Sequence, residues 1–158
     1  AVRVRSDVER KRLAGLESLE RSAERELDIY TAQYTARTRE QLHRIAKTAL
    51  SSSVSCIVDA TNATKAQRAE LRTVAAESGA RCVVVWCTAD TPVLLRRVQL
   101  RRLVGNDASE ASEHVLMRQL QAVEPCSQDE APLYVVDTTL DWTPKQVADL
   151  AHKILDKA

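Results

Sequence analysis

The sequence predicts an α/β fold: a parallel sheet with helices on both faces, in three layers. Three observations predict it. Four runs rich in β-branched residues (Val2–Arg5, Val54–Asp59, Arg81–Thr88 and Leu133–Asp137) alternate with stretches of helical periodicity. The third run is almost wholly apolar, as expected of a strand covered by helices on both faces. Each run ends at or near an acid, namely Asp7, Asp59, Asp90 and Asp137. Ligands of open α/β sheets bind in the crevice outside the carboxyl ends of the strands, so these acids converge on the edge where chemistry is expected.

At 158 residues the chain fits one domain, 1–158, with room for a sizeable core. Its 23 basic and 22 acidic residues leave a net charge of +1, which argues against charge-driven binding to nucleic acid or anionic membrane. It has no apolar run long enough to span a bilayer and no signal-peptide pattern, so the cytoplasm is the expected location. The four cysteines form no CxxC, and Cys56, Cys82 and Cys87 lie in apolar runs, where thiols act as small buried hydrophobes. Ala1 in place of Met, and only three glycines, read as a piece of something longer.

The helices follow in order. Ser6 and Glu9 have capping-box spacing, so a helix starts near Asp7 and stops at Gly15. Glu17 to Asp28 is dense in charge with few apolar anchors, which predicts a solvated helix or a mobile excursion. Leu42, Ile45, Ala46, Ala49 and Leu50 fall on one face of a long helix over residues 31–50. Thr64 and Gln67 form a second capping box, for a helix ending near Gly79. Thr91 caps the next helix with Pro92 at its first position, and another runs from the polar turn at 103–112 to about Val123. Val147, Leu150, Ala151, Ile154 and Leu155 give the terminal helix one apolar face, by which it docks.

Two groups of side chains point to chemistry. Arg97 and Arg101 share a helical face in a segment, 93–102, that contains no acid; guanidinium groups placed so repel each other unless an anion sits among them, and phosphate suits their fork geometry. Arg118 can close on the same anion from the following helix, which makes 93–123 a lid. Asp7 and Asp59, at strand ends, suit a general base toward a hydroxyl and a water-mediated magnesium ligand; the alternative for both is helix capping. Asp137 reads as a turn residue, and His43, His114 and His152 as exposed, with no metal-ligand spacing among them.

In order along the chain, Arg5-Ser6-Asp7-Val8, Arg12-Leu13-Ala14-Gly15-Leu16, Val58-Asp59-Ala60-Thr61, Arg97 with Arg101, Asp107-Ala108-Ser109, Arg118-Gln119 and Glu124-Pro125 carry a resemblance. Together they resemble the P-loop kinase domain of the predicted AAA-family ATPases, the ATP-binding half of bifunctional aminoglycoside phosphotransferase and ATP-binding proteins. That domain is similar to polynucleotide kinase and gluconate kinase. Each motif is weak alone, and their order and spacing make the set specific.

The resemblance implies ATP and Mg2+ as cofactors and phosphoryl transfer to a hydroxyl of a small molecule or a nucleic-acid end. It implies Asp59 as holder of the metal, Asp7 as catalytic with Arg5 and Asn62 on the acceptor side, and Arg97, Arg101 and Arg118 on phosphates. It also implies a G-x-x-x-x-G-K-[ST] loop, whose backbone N–H groups and Lys cradle the phosphates, and no such loop occurs here. The chain starts at the family's second strand. The absent first strand belongs in the middle of the sheet, so a gap is expected between the Val54–Asp59 and Cys82–Cys87 runs. Losing the cradle predicts an inactive chain, and an alternative is a non-catalytic, kinase-like interaction or regulatory module.

Overall fold

A computed structural model describes residues 1–155, so residues 156–158 of the expected domain lie outside it. Strand β1 (Val2–Arg5) runs straight into helix α1 (Ser6–Leu13). An excursion with one 3-10 turn at Ser22–Arg25 leads to α2 (Ala32–Ser51). There follow β2 (Cys56–Asp59), α3 (Lys65–Glu77), β3 (Val84–Thr88), α4 (Thr91–Val104), α5 (Glu113–Ala122), β4 (Leu133–Asp137) and α6 (Pro144–Leu155).

The strands are all parallel, but they form two sheets. β1 pairs with β2 from Val2↔Cys56 to Arg5↔Asp59, and β3 pairs with β4 from Val84↔Leu133 to Thr88↔Asp137. Among the described residues no ladder joins β2 to β3. This slot is the expected gap. Apolar side chains on the strands are exposed on either side of it, Ile57 at 56% and Val85 at 42%. The coverage expected for the Arg81–Thr88 run is therefore incomplete, and the strand begins only at Val84. Cys87 is exposed as well, against the expectation of a buried thiol, while Cys56, Cys82 and Cys126 are half-buried and all four are free.

On one side of the slot α2 covers the pair β1–β2. Thr31 Oγ1 accepts from the Tyr34 N–H at its start, and Leu42 and Ala46, one turn apart, are each 4% exposed against the strands. Val4 is buried at 4%. The capping box of Thr64 and Gln67 is present at the start of α3.

Three local expectations change. α1 has Arg5 at its N-cap and no side-chain cap, because β1 leads into it with no intervening residue; Glu9 turns inward and accepts from Arg12 and Gln41 instead of closing a box with Ser6. The cap of α4 is Asp90, one residue before Thr91. Helix α6 forms as predicted but is fastened by polar contacts, with Tyr134 donating to the Lys153 carbonyl and Arg81 to that of Ile154, each at 2.8 Å. Its apolar face stays open: Val147 is 54% and Leu155 68% exposed.

The excursion between α1 and α2 is solvated along most of Glu17–Asp28, as expected, and it is pinned at its two ends and at Ser22. Leu16 and Ile29 are 5% and 1% exposed, and the Lys11 side chain, fully buried, donates to the carbonyls of Ser18 and Glu20 at 3.1 and 2.6 Å. A lysine buried at this depth needs a counter-charge. Glu110, brought over by the segment between α4 and α5, supplies it at 2.9 Å.

Candidate functional site

The parallel ladder places Arg5 level with Asp59, and α1 begins at once with Ser6 and Asp7. These residues, with Ala60 and Thr61, line an open cavity of about 230 Å³ outside the carboxyl ends of β1 and β2. Two of the sequence-predicted carboxylates and one of the arginines thus meet.

Two of the charges in the cavity, Asp59 and Arg5, are already partnered. Arg3 donates to Asp59 Oδ2 through Nη2 at 2.5 Å and Nε at 3.1 Å, and the Nε of Arg5 lies 3.7 Å from the same oxygen. Arg5 Nη2 donates to both oxygens of Asp107 at 3.0 Å. Asp107 also accepts the Ser109 N–H at 2.8 Å. Burial pushes the Asp107 carboxyl up, but the Ser109 N–H and the Arg5 and Arg101 guanidinium groups outweigh it, and the net shift is downward. For Glu110 too, burial is outweighed by hydrogen bonds from Ser22 and Lys11, so it stays ionised below the usual range.

The loop behind Asp59 is held from below. Arg68 donates to the Asn62 and Ala63 carbonyls at 3.1 and 3.2 Å and grips Glu130 with two nitrogens at 2.6 and 2.9 Å. The Arg68 and Glu130 side chains are 6% and 4% exposed, and the Arg68 hydrogen bond is the main cause that holds Glu130 down at about 2. Asn62 takes a positive φ of 39° at this bend, and it does not line the cavity.

The predicted lid arginines are distributed differently. Arg97 donates to the hydroxyl and carbonyl of Thr138 at the carboxyl end of β4, so it braces a strand end. The charge of Arg101 reaches Asp107, and Arg118 is exposed on α5; neither forms an ion pair among the described residues. The first half of the 93–123 segment is helical to Val104, and Gly105 ends it at a left-handed φ of 69°. Beyond it, Asp107 and Glu110 tie the segment to Arg5 and Lys11.

Asp107, Glu110, Lys11 and Tyr30 belong to this neighbourhood without having been singled out as site residues. The local signal for Asp107 was its D-x-S turn spacing. Nothing local in helix α1 marks Lys11, and nothing local in the residues before α2 marks Tyr30.

The donor set suits the two implied cofactors unequally. Among the described residues no group of three or more His, Cys, Asp or Glu side chains converges to hold a metal alone. A magnesium ion held by one carboxylate, water and substrate phosphates needs only Asp59 Oδ1, the oxygen that Arg3 and Arg5 leave free, so the site fits that mode. ATP is different: no glycine-rich loop cradles its phosphates here.

Parallel strands, covering helices and an acid-lined cavity at their carboxyl ends define a kinase-like α/β domain. The chain belongs to the family described as AAA domain, matched over residues 1–126. Among solved structures, it is similar to one described as a putative kinase from Chloroflexus aurantiacus j-10-fl, with a TM-score of 0.71 at 18% identity over 99% of this chain and 82% of that one. It is also similar to a sugar kinase from Janibacter sp. HTCC2649, with a TM-score of 0.60 at 18% identity over 98% of this chain and 79% of that one. No curated protein matches it. The fold is therefore that of P-loop kinases. No helix among the described residues is long and apolar enough to cross a membrane.

Proposed function

We propose that the chain is the acceptor-binding and lid portion of an ATP-dependent kinase that phosphorylates a hydroxyl group, with a sugar-like polyol as the acceptor class. One observation carries the reading: Asp59 at the end of β2 and Asp7 in the first turn of α1 face one cavity, beside Arg5. Asp7 accepts the proton of the acceptor hydroxyl, and Arg5 sets the charge of the pocket through Asp107 and Asp59. Magnesium, when bound, neutralises charge on the transferred phosphate, and Asp59 is the residue that would hold it through water. Arg101 and Arg118 are the cations free to meet phosphate oxygens. The sugar kinase among the similar structures supports the acceptor class.

The phosphate-binding loop completes this assembly from outside the chain, together with a strand that fits the slot between β2 and β3. On its own the chain does not turn over, because phosphoryl transfer depends on positioning and electrostatics that the cradle provides.

A second reading, a non-catalytic kinase-like module, is favoured by the ion pairs that occupy Asp59 and Arg5. Adding a strand, phosphate-binding loop and helix ahead of Val2 separates the two. The kinase reading expects ATP-dependent phosphorylation of a polyol, with Asp59→Asn losing turnover but not fold. ATP binding without phosphorylation of any sugar, nucleoside, aminoglycoside or polynucleotide end would leave the module reading.

A further inference from the structure

Two of the six residues that line the cavity, Ser6 and Thr61, bring hydroxyls with no hydrogen-bond partner among the described residues. Ser6 is the first residue of α1. Because β1 runs straight into that helix, the N-cap is Arg5, and Ser6 comes one residue too late to cap it. Thr61 stands on the bend after β2, which the Arg68 guanidinium holds through the Asn62 and Ala63 carbonyls, while the cap of α3 is Thr64. The hydroxyls of Ser22 and Thr64, by contrast, are engaged by Glu110 and by the Gln67 N–H.

The Asp7 carboxylate shares this state, since no hydrogen bond or ion pair reaches it among the described residues. Arg5, the cation of the lining, is not free: it donates to both oxygens of Asp107 and lies 3.7 Å from Asp59. An anionic group entering the cavity therefore finds no unpaired cation there and meets the charge of Asp7. The free atoms suit a molecule that donates to a carboxylate and exchanges hydrogen bonds with two hydroxyls. An uncharged polyol does all of this, with one hydroxyl on Asp7 and others on Ser6 and Thr61. Ser6 and Thr61 follow β1 and β2, paired strands about 4.8 Å apart, so one small molecule spans both. At about 230 Å³ the cavity is smaller than the ~300–1,000 Å³ of drug-sized sites, which suits an acceptor of single-sugar size.

We propose that Ser6 and Thr61 are specificity-determining residues of the acceptor site, their hydroxyls holding the hydroxyls next to the one that meets Asp7, so that the acceptor is an uncharged polyol and not a sugar acid or a sugar phosphate. This rests on the kinase reading above and names the side chains that select its acceptor.

The test needs no turnover. D-glucose, D-ribose, D-gluconate and D-glucose 6-phosphate are titrated into wild type, Ser6→Ala, Thr61→Val, Thr61→Ser and Asp7→Asn while amide chemical shifts are followed, which reads weak binding and locates it. Unchanged shifts away from the cavity report that each variant is folded. Wild type is expected to bind at least one neutral sugar about tenfold tighter than either anion, with shifts at residues 5–7 and 59–61. Ser6→Ala and Thr61→Val are each expected to weaken that sugar about five- to tenfold, the worth of one hydrogen bond, and Thr61→Ser, which keeps the hydroxyl, to bind it as wild type does. Either anion binding as tightly as the neutral sugars, or Ser6→Ala and Thr61→Val binding them as wild type does, overturns this inference and leaves the acceptor reading standing if Asp7→Asn still weakens binding. Wild type binding none of the four overturns the acceptor reading and this inference with it.

Discussion

Replacing Arg68 with Met should cost about 3–5 kcal/mol, the usual penalty for removing one partner of a buried ion pair. The structure says why the upper part of that range applies. Arg68 makes four hydrogen bonds, two to Glu130 and two to the Asn62 and Ala63 carbonyls, and loses all of them in the variant. Glu130, 4% exposed, is left charged with only the Ser127 hydrogen bonds. Since domains of this size are stable by about 5–15 kcal/mol, the variant sits near the edge of folding. Arg68→Met/Glu130→Leu leaves no uncompensated charge and should recover most of the loss. The pair also has a pH signature. The folded-state pKa of Glu130 is depressed from 4.5 to about 2, so its contribution is complete above about pH 4.5 and is lost as pH falls toward 2. Urea denaturation followed by circular dichroism, at neutral pH and in steps through that window, measures both effects. A single variant costing less than about 1 kcal/mol, or one keeping the wild-type acid profile, would refute the reasoning.

Lys11→Met should destabilise the protein by roughly 3 kcal/mol and expose the excursion to protease, because Glu110 then lies partly buried without its cation; limited proteolysis beside thermal melting checks it. Gly105→Ala should cost about 1 kcal/mol, since φ is 69° there and the nearest atom to an added Cβ is the mobile end of Arg21 at 3.5 Å; chemical denaturation reads this directly. One tyrosine should titrate near 12 in ultraviolet absorbance and move down in Asp7→Asn, and wild-type stability should decline as pH rises from about 10 toward 12. Pyrophosphate titration should show Arg101→Ala/Arg118→Ala losing affinity while Arg97→Ala keeps it and loses stability; equal affinity in all three proteins would remove the lid arginines from anion binding.

What could be read from the sequence was whatever local patterns encode. The alternation of apolar runs and amphipathic segments predicted the strands and their parallel direction, the family resemblance the gap between the second and third, and the acids at strand ends pointed to Asp7 and Asp59. The Thr64 and Gln67 box was legible because both bonds are made within one turn. The Ser6 and Glu9 box had the same spacing and did not form, because β1 leaves no residue before α1 and Glu9 finds Arg12 and Gln41. The site's second layer was not legible, since Arg5 with Asp107, and Lys11 with Glu110, are contacts between distant segments. Arg97 looked like a free cation for the same reason: its partner is a backbone carbonyl far along the chain, at Thr138.

The slot between β2 and β3 also bears on how the chain comes apart. In a continuous sheet a backbone ladder makes the strands melt together. Here β1–β2 with α1 and α2 forms one hydrogen-bonded unit and β3–β4 another, linked by α3, by the buried Arg68–Glu130 pair and by the side-chain ties of Asp107 and Glu110. Side-chain ties are severed more easily than ladders, so the two units have separate opening free energies. Amide hydrogen exchange then falls into two classes, one for each pair of strands, and heat absorption spreads over two overlapping transitions rather than one. A strand seated in the slot, bonded on both edges, would merge the two classes and convert the chain into a single cooperative body.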